Sequence, residues 1–567
     1  MKRWSKFAVS LSTLAFTFGI LHSYTSGTLS PGLPIGTAVA VVGLFSLLWS
    51  ESRWLPLTAF VSLGALYRVV AFVIPSTFLN FDPDAHAVRS QIVMQTGGTQ
   101  HLVGAFYGSA AAFDVHGAIV ALLAGLPIED AYVFFPLAIG IVIPLIAVLT
   151  VRTLLRKIEI SPHYKTIAIG CAAALGAVEA STIQYGAAPI PVTYSALFLG
   201  CAILVTISYE STQRLEFFAL LVPLSLAMLM SAKVPLLLFT VILLVWIIID
   251  QVMIARYAAP KRRLSKFPLL FSVLLLLQWM FVTEYFSFGV GVFAVLSDLV
   301  AIGDTGIPPL PAATRYNPSL LSKILGLSNI LSLLVASGIA WLYFSITRSP
   351  NRNAHPILAA CAVTVAFIVP DLAFGTGPGF QRVFVYAAPF ICAIIPAAVV
   401  LIIDRQPTPS NQFLRRGVMT CGIIFILVLA NVGSMSATPD RVGGTRYYLT
   451  QPEISGKHFS HAYISEDVYM DVYYGDEVVN FSRAARGPIY HQYTVPNPWN
   501  RPLLSHELLT RSLLAQHYQY VAHRTTVDVY RLSDGRYRLT WNPGRVLDKH
   551  YNRVYSSGAV NLYRIPR

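Results

Sequence analysis

The chain is poor in charge. Of its 567 residues only 12% are Asp, Glu, Lys or Arg, while 55% are hydrophobic; an ordinary soluble domain carries about a quarter charged residues. That shortage excludes a soluble globular protein, because apolar runs of about 18 or more residues recur and each can cross ~30 Å of hydrocarbon. Cysteine is scarce too. Cys171, Cys201, Cys361, Cys392 and Cys421 all lie in or beside apolar runs, which gives no disulfide framework and no metal-ligand spacing. Acidic residues are lacking in the middle of the apolar runs: Glu210, Glu216 and Asp250 fall at their ends. A proton or sodium relay would need carboxylates at mid-span. The net charge of +14 carries no nucleic-acid signal, since the Lys and Arg of membrane proteins gather in cytoplasmic loops. No convincing small-residue cleavage site follows Met1-Lys2-Arg3 and the run Phe7 to Ile20, so that run is expected to be a retained first span.

What remains is a polytopic α-helical membrane protein. Thirteen spans are expected, at roughly 7–24, 33–50, 55–75, 131–151, 166–183, 193–209, 215–232, 234–254, 268–286, 324–346, 356–372, 383–403 and 417–435. With a cytoplasmic N-terminus, one side collects Lys2, Arg3, Lys6, Arg152, Arg156, Lys157, Lys165, Lys261, Arg262, Arg263, Lys266, Arg415 and Arg416. The short connections on the other side carry few: Arg89, Lys233, Arg315, Lys323 and Arg382. This is the positive-inside pattern. It predicts a multi-pass cell-membrane protein with its N-terminus cytoplasmic and its last 130 or so residues external. The transmembrane domain runs over 1–435 and the external soluble domain over 436–567.

The first external loop, 76–130, has apolar positions at helical spacing over 84–96 and an apolar run too short to span over 115–126. Both predict helices on the membrane surface. The 287–322 loop, with Gly303-Asp304-Thr305-Gly306-Ile307-Pro308-Pro309, predicts irregular backbone. In the tail, alternating runs at Val468 to Tyr474, Ile489 to Thr494, Tyr520 to Ala522, Val527 to Leu532, Tyr537 to Trp541 and Val560 to Ile565 predict strands, and Leu503 to His517 a helix. The tail is therefore expected to be a small α/β or α+β domain. Asn480-Phe481-Ser482 is an N-glycosylation sequon on the same side.

Phe81-Asp82-Pro83-Asp84-Ala85-His86-Ala87-Val88-Arg89 puts two carboxylates, an imidazole and a guanidinium just past the third span. Two readings stand side by side. Asp82 and Asp84 converge in a turn as a general base or as ligands of a divalent cation, with His86 beside them. Alternatively Asp82 caps a helix whose first turn holds Asp84. Arg68 inside the third span, Glu179, Lys233, Glu284, Asp371 and Arg382 fall on the same predicted face. Charges of both signs there suit a phosphate-bearing lipid: cations for the phosphate, carboxylates for acid–base or metal work.

This architecture resembles the GT-C glycosyltransferases. The nine-residue stretch is similar to the Asp-Pro-x-x-His-x-Arg stretch in the first external loop of archaeal and eukaryotic oligosaccharyltransferase catalytic subunits. Ala111 to Pro127 with Phe134-Phe135-Pro136, and the closing Tyr551 to Arg564, are similar to the corresponding regions of that family. The resemblance implies a catalytic or metal-binding role for Asp82 and a late-span arginine near the lipid phosphate at Arg382. It also implies possible Mg or Mn ligation by Asp82, Asp84 and Glu179, a polyprenyl-linked sugar donor, and inversion at the anomeric carbon. The chain departs from that family in three ways. It has no Trp-Trp-Asp-Tyr-Gly motif for reading an acceptor sequon, the Gly176 to Pro191 region offers only Glu179 as an acid, and two spans precede the one that leads into the loop. The expectation is a glycosyltransferase moving a sugar from a polyprenyl (dolichyl) phosphate carrier to a glycan or protein acceptor at the external face. Asp82 and Asp84 would be catalytic, and His86, Arg89, Lys233, Arg382 and Arg68 would bind substrate. The alternatives are a transporter or flippase of lipid-linked sugars and a non-catalytic receptor or scaffold.

Overall fold

A computed structural model of the chain describes residues 3–49, 54–79, 82–102, 111–156, 158–232, 234–257, 267–282, 313–317, 319–346, 354–374, 380–404, 412–432, 448–466, 468–471, 474, 519–532 and 535–566. Helices come first: α1 (Arg3–Ser26), α2 (Gly32–Leu44), α3 (Trp54–Val73), α4 (Asp82–Thr96), α5 (Ala112–Ala124), α6 (Ile128–Ala131), α7 (Phe134–Leu154), α8 (Pro162–Val178) and α9 (Ala180–Gly186). They continue as α10 (Pro191–Thr212), α11 (Leu215–Ser231), α12 (Val234–Tyr257), α13 (Phe267–Leu277), α14 (Leu320–Ile346), α15 (Ala354–Phe374), α16 (Phe380–Asp404) and α17 (Gln412–Val432). Each of the thirteen expected spans falls on one of these helices, the fifth on α8 and α9 together. Among the described residues seven helices are long and apolar enough to cross a membrane, and α8 with α9 makes an eighth, bent by 48° at the break. The other five stretches lie on shorter apolar helices. The protein is a multi-pass membrane protein.

The helices that carry the site pack around α16, whose span is the most completely buried of the seven. It touches α7, α8, α9, α10, α14 and α15. Small residues bring α3 and α7 into backbone contact. A Cβ on Gly140 would meet the Ala65 Cα at 2.6 Å and the Gly64 carbonyl oxygen at 2.9 Å. One on Gly64 would meet Ala177 of α8 at 3.0 Å. Helices can approach this closely only where no side chain stands between them.

The two surface helices expected in the first long loop are α4 and α5. They cross at Gly117, where a Cβ would meet the Ser90 Oγ at 2.6 Å and the Tyr132 ring at 2.8 Å. Their shared core holds Phe72, Phe78, Ala87, Phe113, Tyr132 and Phe135, with Phe113 stacked on Phe135 at 4.3 Å.

The tail forms α18 (Gln451–Tyr463), α19 (Pro543–His550) and strands β2 (Val468–Tyr469), β3 (Tyr520–Arg524), β4 (Val529–Leu532), β5 (Gly535–Leu539), β6 (Asn552–Ser556) and β7 (Val560–Arg564). One sheet has the order β2-β3-β7-β6. The other is completed from outside the tail. β1 (Ala313–Arg315), from the loop before α14, pairs antiparallel with β5, Thr314 opposite Arg538. The guanidinium of Arg538 lies 4.8 Å from the Tyr316 ring centroid. The tail also docks on the helical part. The Leu29 N–H donates to the Tyr448 hydroxyl at 3.0 Å, and the Leu449 N–H donates to the Thr77 Oγ1 at 3.0 Å. Tyr448 packs with Ala71, Leu79, Ala187 and Ala188.

Periodicity failed at several elements, β6 and α18 among them. β6 is exposed along most of its length, so it has no alternation to read. α18 was missed although Thr450 and Glu453 form a capping box around Pro452, a signature visible in the sequence. The expected strand at Ile489 to Thr494, the expected helix at Leu503 to His517, and Asn480 lie outside the described residues.

Inside the tail, Arg524 donates from Nε and Nη2 to the two oxygens of Asp471, both at 2.7 Å. Beside it His523 is buried, and that burial lowers its pKa to about 4 from an ordinary 6.5. The unfolded chain takes up the His523 proton near pH 6.5 and the folded chain only near 4. Stability is therefore lost as pH falls through that window and levels off below it, by up to ~3 kcal/mol. Melting curves from pH 7 to 4 should show a shallower loss of Tm for His523→Gln than for the wild type; parallel curves would remove His523 from the account. Gly140→Val should lower the melting temperature of the detergent-solubilised protein through about 1–3 kcal/mol of overpacking against α3; an unchanged Tm would show that the helices can separate there without loss.

Candidate functional site

The site begins where α4 begins. Pro83 is tolerated in a first helical turn because its missing N–H would have had no partner there. Carboxylates are favoured in that turn by the helix dipole. Asp82-Pro83-Asp84 accordingly starts a helix, and this decides between the two readings of the motif. Residues two apart on a helix point about 200° apart, so the two carboxylates do not converge. Asp84 is fully buried in the loop core. Asp82 faces the other way and remains part-exposed.

Asp82 meets Arg382, 300 residues later, at the N-terminus of α16. The Arg382 Nη2 donates to Asp82 Oδ2 at 2.9 Å, with the side chains 35% and 31% exposed respectively. Pairs at this exposure are worth about 0–1 kcal/mol, so the contact is readily exchanged. The Arg382 guanidinium also lies 5.9 Å from the Tyr185 ring centroid on α9. One turn further along α16, the Tyr386 hydroxyl and Ser195 Oγ on α10 are hydrogen-bonded at 2.9 Å, which fixes the end of the helix that carries Arg382.

Arg68 and Glu179 are brought together elsewhere, at the break between α8 and α9. A break exposes the last carbonyls of one helix and the first amides of the next, and in a membrane interior these must be satisfied by protein. Arg68 takes the carbonyls. Its Nη1 donates to Gly64 O at 2.9 Å and Ala177 O at 2.8 Å, Nη2 to Gly176 O at 3.2 Å and Thr182 Oγ1 at 2.6 Å, and Nε to Thr182 O at 3.2 Å. All five of its N–H donors are thereby used. Glu179 takes the amides: Ser181 N–H donates to Oε1 at 2.7 Å and Thr182 N–H to Oε2 at 2.6 Å. Asn329 Nδ2 on α14 adds a bond to Oε1 at 3.1 Å. Both side chains are fully buried. The structure thus places Arg68 and Glu179, expected as phosphate-binding and metal-binding residues, on the helix break.

His86 is committed as well. Its Nδ1 lies 2.7 Å from Asp114 Oδ1, both groups buried. Ser90 Oγ donates to the Asp114 carbonyl at 2.7 Å and pairs with the Tyr132 hydroxyl at 2.8 Å. This set ties α4 to α5 and α6, so His86 helps to position α4. Arg89 is half-buried two turns along α4, within electrostatic range of the Tyr132 hydroxyl. Lys233, Glu284 and the side chain of Asp371 lie outside the described residues. Asp82 meets a guanidinium, Glu179 meets backbone amides and Asp84 is fully buried; among the described residues no group of three His, Cys, Asp or Glu that could hold a metal ion occurs. Tyr185 and Asp114 were missed, because neither an aromatic in an apolar run nor a lone Asp in a loop stands out before the fold brings it to a partner.

No family model and no curated protein matches the sequence. Among solved structures the chain is similar to the Archaeoglobus fulgidus oligosaccharyltransferase in its apo form: 11% identity and a TM-score of 0.50, over 85% of this chain and 71% of that one. It is also aligned with ArnT from Cupriavidus metallidurans. The apo state gives 10% identity and a TM-score of 0.42 over 90% of this chain and 99% of that one. The undecaprenyl phosphate-bound state gives 10% and 0.46 over 91% and 100%. The fold is GT-C-like.

The helix break yields a test. Arg68→Met should destabilise the protein by roughly 3–5 kcal/mol, because it strands buried carbonyls and a buried carboxylate. Glu179→Gln, which keeps an acceptor and the shape, should cost less. A thermal melt of the solubilised variants checks the order, and an Arg68→Met protein as stable as wild type would refute the brace.

Proposed function

We propose that this chain is a membrane glycosyltransferase that moves a sugar from a polyprenyl (dolichyl) phosphate carrier to a glycan or protein acceptor, at the face predicted to be external. The observation that carries this reading is the part-exposed Asp82–Arg382 pair at the start of α16, set in a GT-C-like fold. A helix N-terminus favours an anion, and a guanidinium there is matched to phosphate oxygens. The carboxylate beside it is suited to take a proton from an acceptor hydroxyl.

In this reading the acceptor oxygen attacks the anomeric carbon while its proton passes to Asp82. The new glycosidic C–O bond forms as the bond from that carbon to the phosphate oxygen breaks. The bonding electrons leave with the lipid phosphate, whose negative charge Arg382 balances. Asp84 is fully buried in the structure, so Asp82 is the first of the two to act. Among the described residues the site offers one guanidinium and one carboxylate. That balance suits a singly charged phosphodiester better than a diphosphate, whose extra charge would go uncompensated.

Asp82→Asn should reduce transfer from a polyprenyl-phosphate sugar in proteoliposomes by about 10²-fold or more, and Arg382→Ala should impair use of the same donor. Full transfer by Asp82→Asn, together with unchanged cell-surface glycans by mass spectrometry at normal expression, would sink this reading.

A further inference from the structure

Three of the arginines, Arg68, Arg524 and Arg382, are held in different ways. Arg68 uses all five donors on the helix break. Arg524 is locked to both oxygens of Asp471 and also reaches Glu453. Arg382 makes a single hydrogen bond among the described residues, to one oxygen of Asp82, and both side chains are about one-third exposed. The ring of Tyr185 lies to one side of it at 5.9 Å, a contact indifferent to which anion the N–H groups face. A cation at a helix N-terminus is opposed by the dipole, so Arg382 needs an anion, and at rest Asp82 is that anion.

Resting on the function proposed above, we infer that Arg382 is a shared cation. At rest it neutralises Asp82; when the donor phosphate reaches the start of α16, Arg382 turns on the Tyr185 platform to the phosphate and releases Asp82. The phosphate offers two or more oxygens to the guanidinium fork where Asp82 uses one, so the exchange gains hydrogen bonds. Asp82 released from Arg382 has the oxygen that accepted the guanidinium bond open to an acceptor hydroxyl. Donor binding thus generates the base, and an acceptor or water arriving first meets a carboxylate already occupied. The order of binding is donor, then acceptor.

The swap predicts an effect opposite to that of a carboxylate which helps hold the donor. Polyprenyl phosphate without sugar, the leaving group of the proposed reaction, is the probe, and its binding to the full chain in detergent is followed by tryptophan fluorescence. Asp82→Asn, with no charge competing for Arg382, should bind about three- to fivefold more tightly than wild type. Arg382→Ala should bind at least about tenfold more weakly, and the double variant should match Arg382→Ala, because Asp82 acts only through Arg382. Asp82→Ala stands in if Asp82→Asn fails to fold by thermal melt. Equal or weaker binding by the Asp82 variants, with Arg382→Ala still impaired, would overturn the swap and leave the glycosyltransferase reading standing. No binding by the wild type, or binding untouched by Arg382→Ala, would overturn both.

Discussion

The satisfied break between α8 and α9 is the constraint on which the rest of the site depends. Burying a guanidinium and a carboxylate costs several kcal/mol for each ion, and neither charge is tolerated in a membrane interior unless its hydrogen-bonding groups are filled. Here the charges and the break offset one another. Arg68 receives the carbonyls that α8 can no longer pair, Glu179 receives the amides that α9 begins with, and each sits at the helix end whose dipole favours it. The close approach of α3 to α8 at Gly64 lets Arg68 reach across. A Cβ on Gly186 would meet the Arg68 Nε at 3.1 Å, so the far end of α9 is also shaped around that side chain. The 48° bend then turns Tyr185 toward Arg382.

From that point the structure builds outward in short steps. Tyr185 flanks Arg382, Arg382 meets Asp82, and Asp82 begins the helix that His86–Asp114 and Ser90–Tyr132 pin to α5 and α6. Just past Tyr185 and Gly186, Ala187 and Ala188 receive Tyr448, the anchor of the tail. The tail in turn accepts β1 from the loop before α14. The described part of the tail is therefore attached, through Tyr448 and β1, to elements that hold the site.

The sequence made the helical frame legible because a bilayer imposes a length and a polarity that survive without any tertiary information. It made the surface helices legible through Val88, Ile92 and the apolar run after Val115. It flagged Asp82 and Arg382 as charges on one predicted face, but their meeting across 300 residues is visible only in the fold. Arg68 and Glu179 stand out in the sequence as ionisable groups in or beside apolar runs, and the structure engages both on the helix break. An ionisable residue inside a span invites a functional reading, and the competing claim, that it satisfies a broken backbone, has only a weak local mark. Glu179 followed by Ser181 and Thr182 looks like a cap only once the helix is known to stop at Val178. β1 was invisible for a related reason: three residues of edge strand acquire their identity from β5, more than 200 positions away in the chain.

The Asp-Pro-Asp motif shows how local structure decides chemistry. In a turn, two carboxylates two residues apart can share a cation. The same two residues starting a helix are divided by the helical repeat into one that faces the core and one that faces the site. Pro83 fixes φ near the helical value and withdraws no hydrogen bond from a first turn, so it favours the second outcome. The result is an exposed face with one carboxylate instead of two. A single carboxylate can accept a proton, but it is a poor ligand set for a divalent ion, which takes six or more oxygens. In the function proposed above, the donor phosphate is met by Arg382, the described residue that pairs with Asp82. Base and phosphate cation are, on this argument, two halves of one ion pair, so whatever binds one half acts on the other.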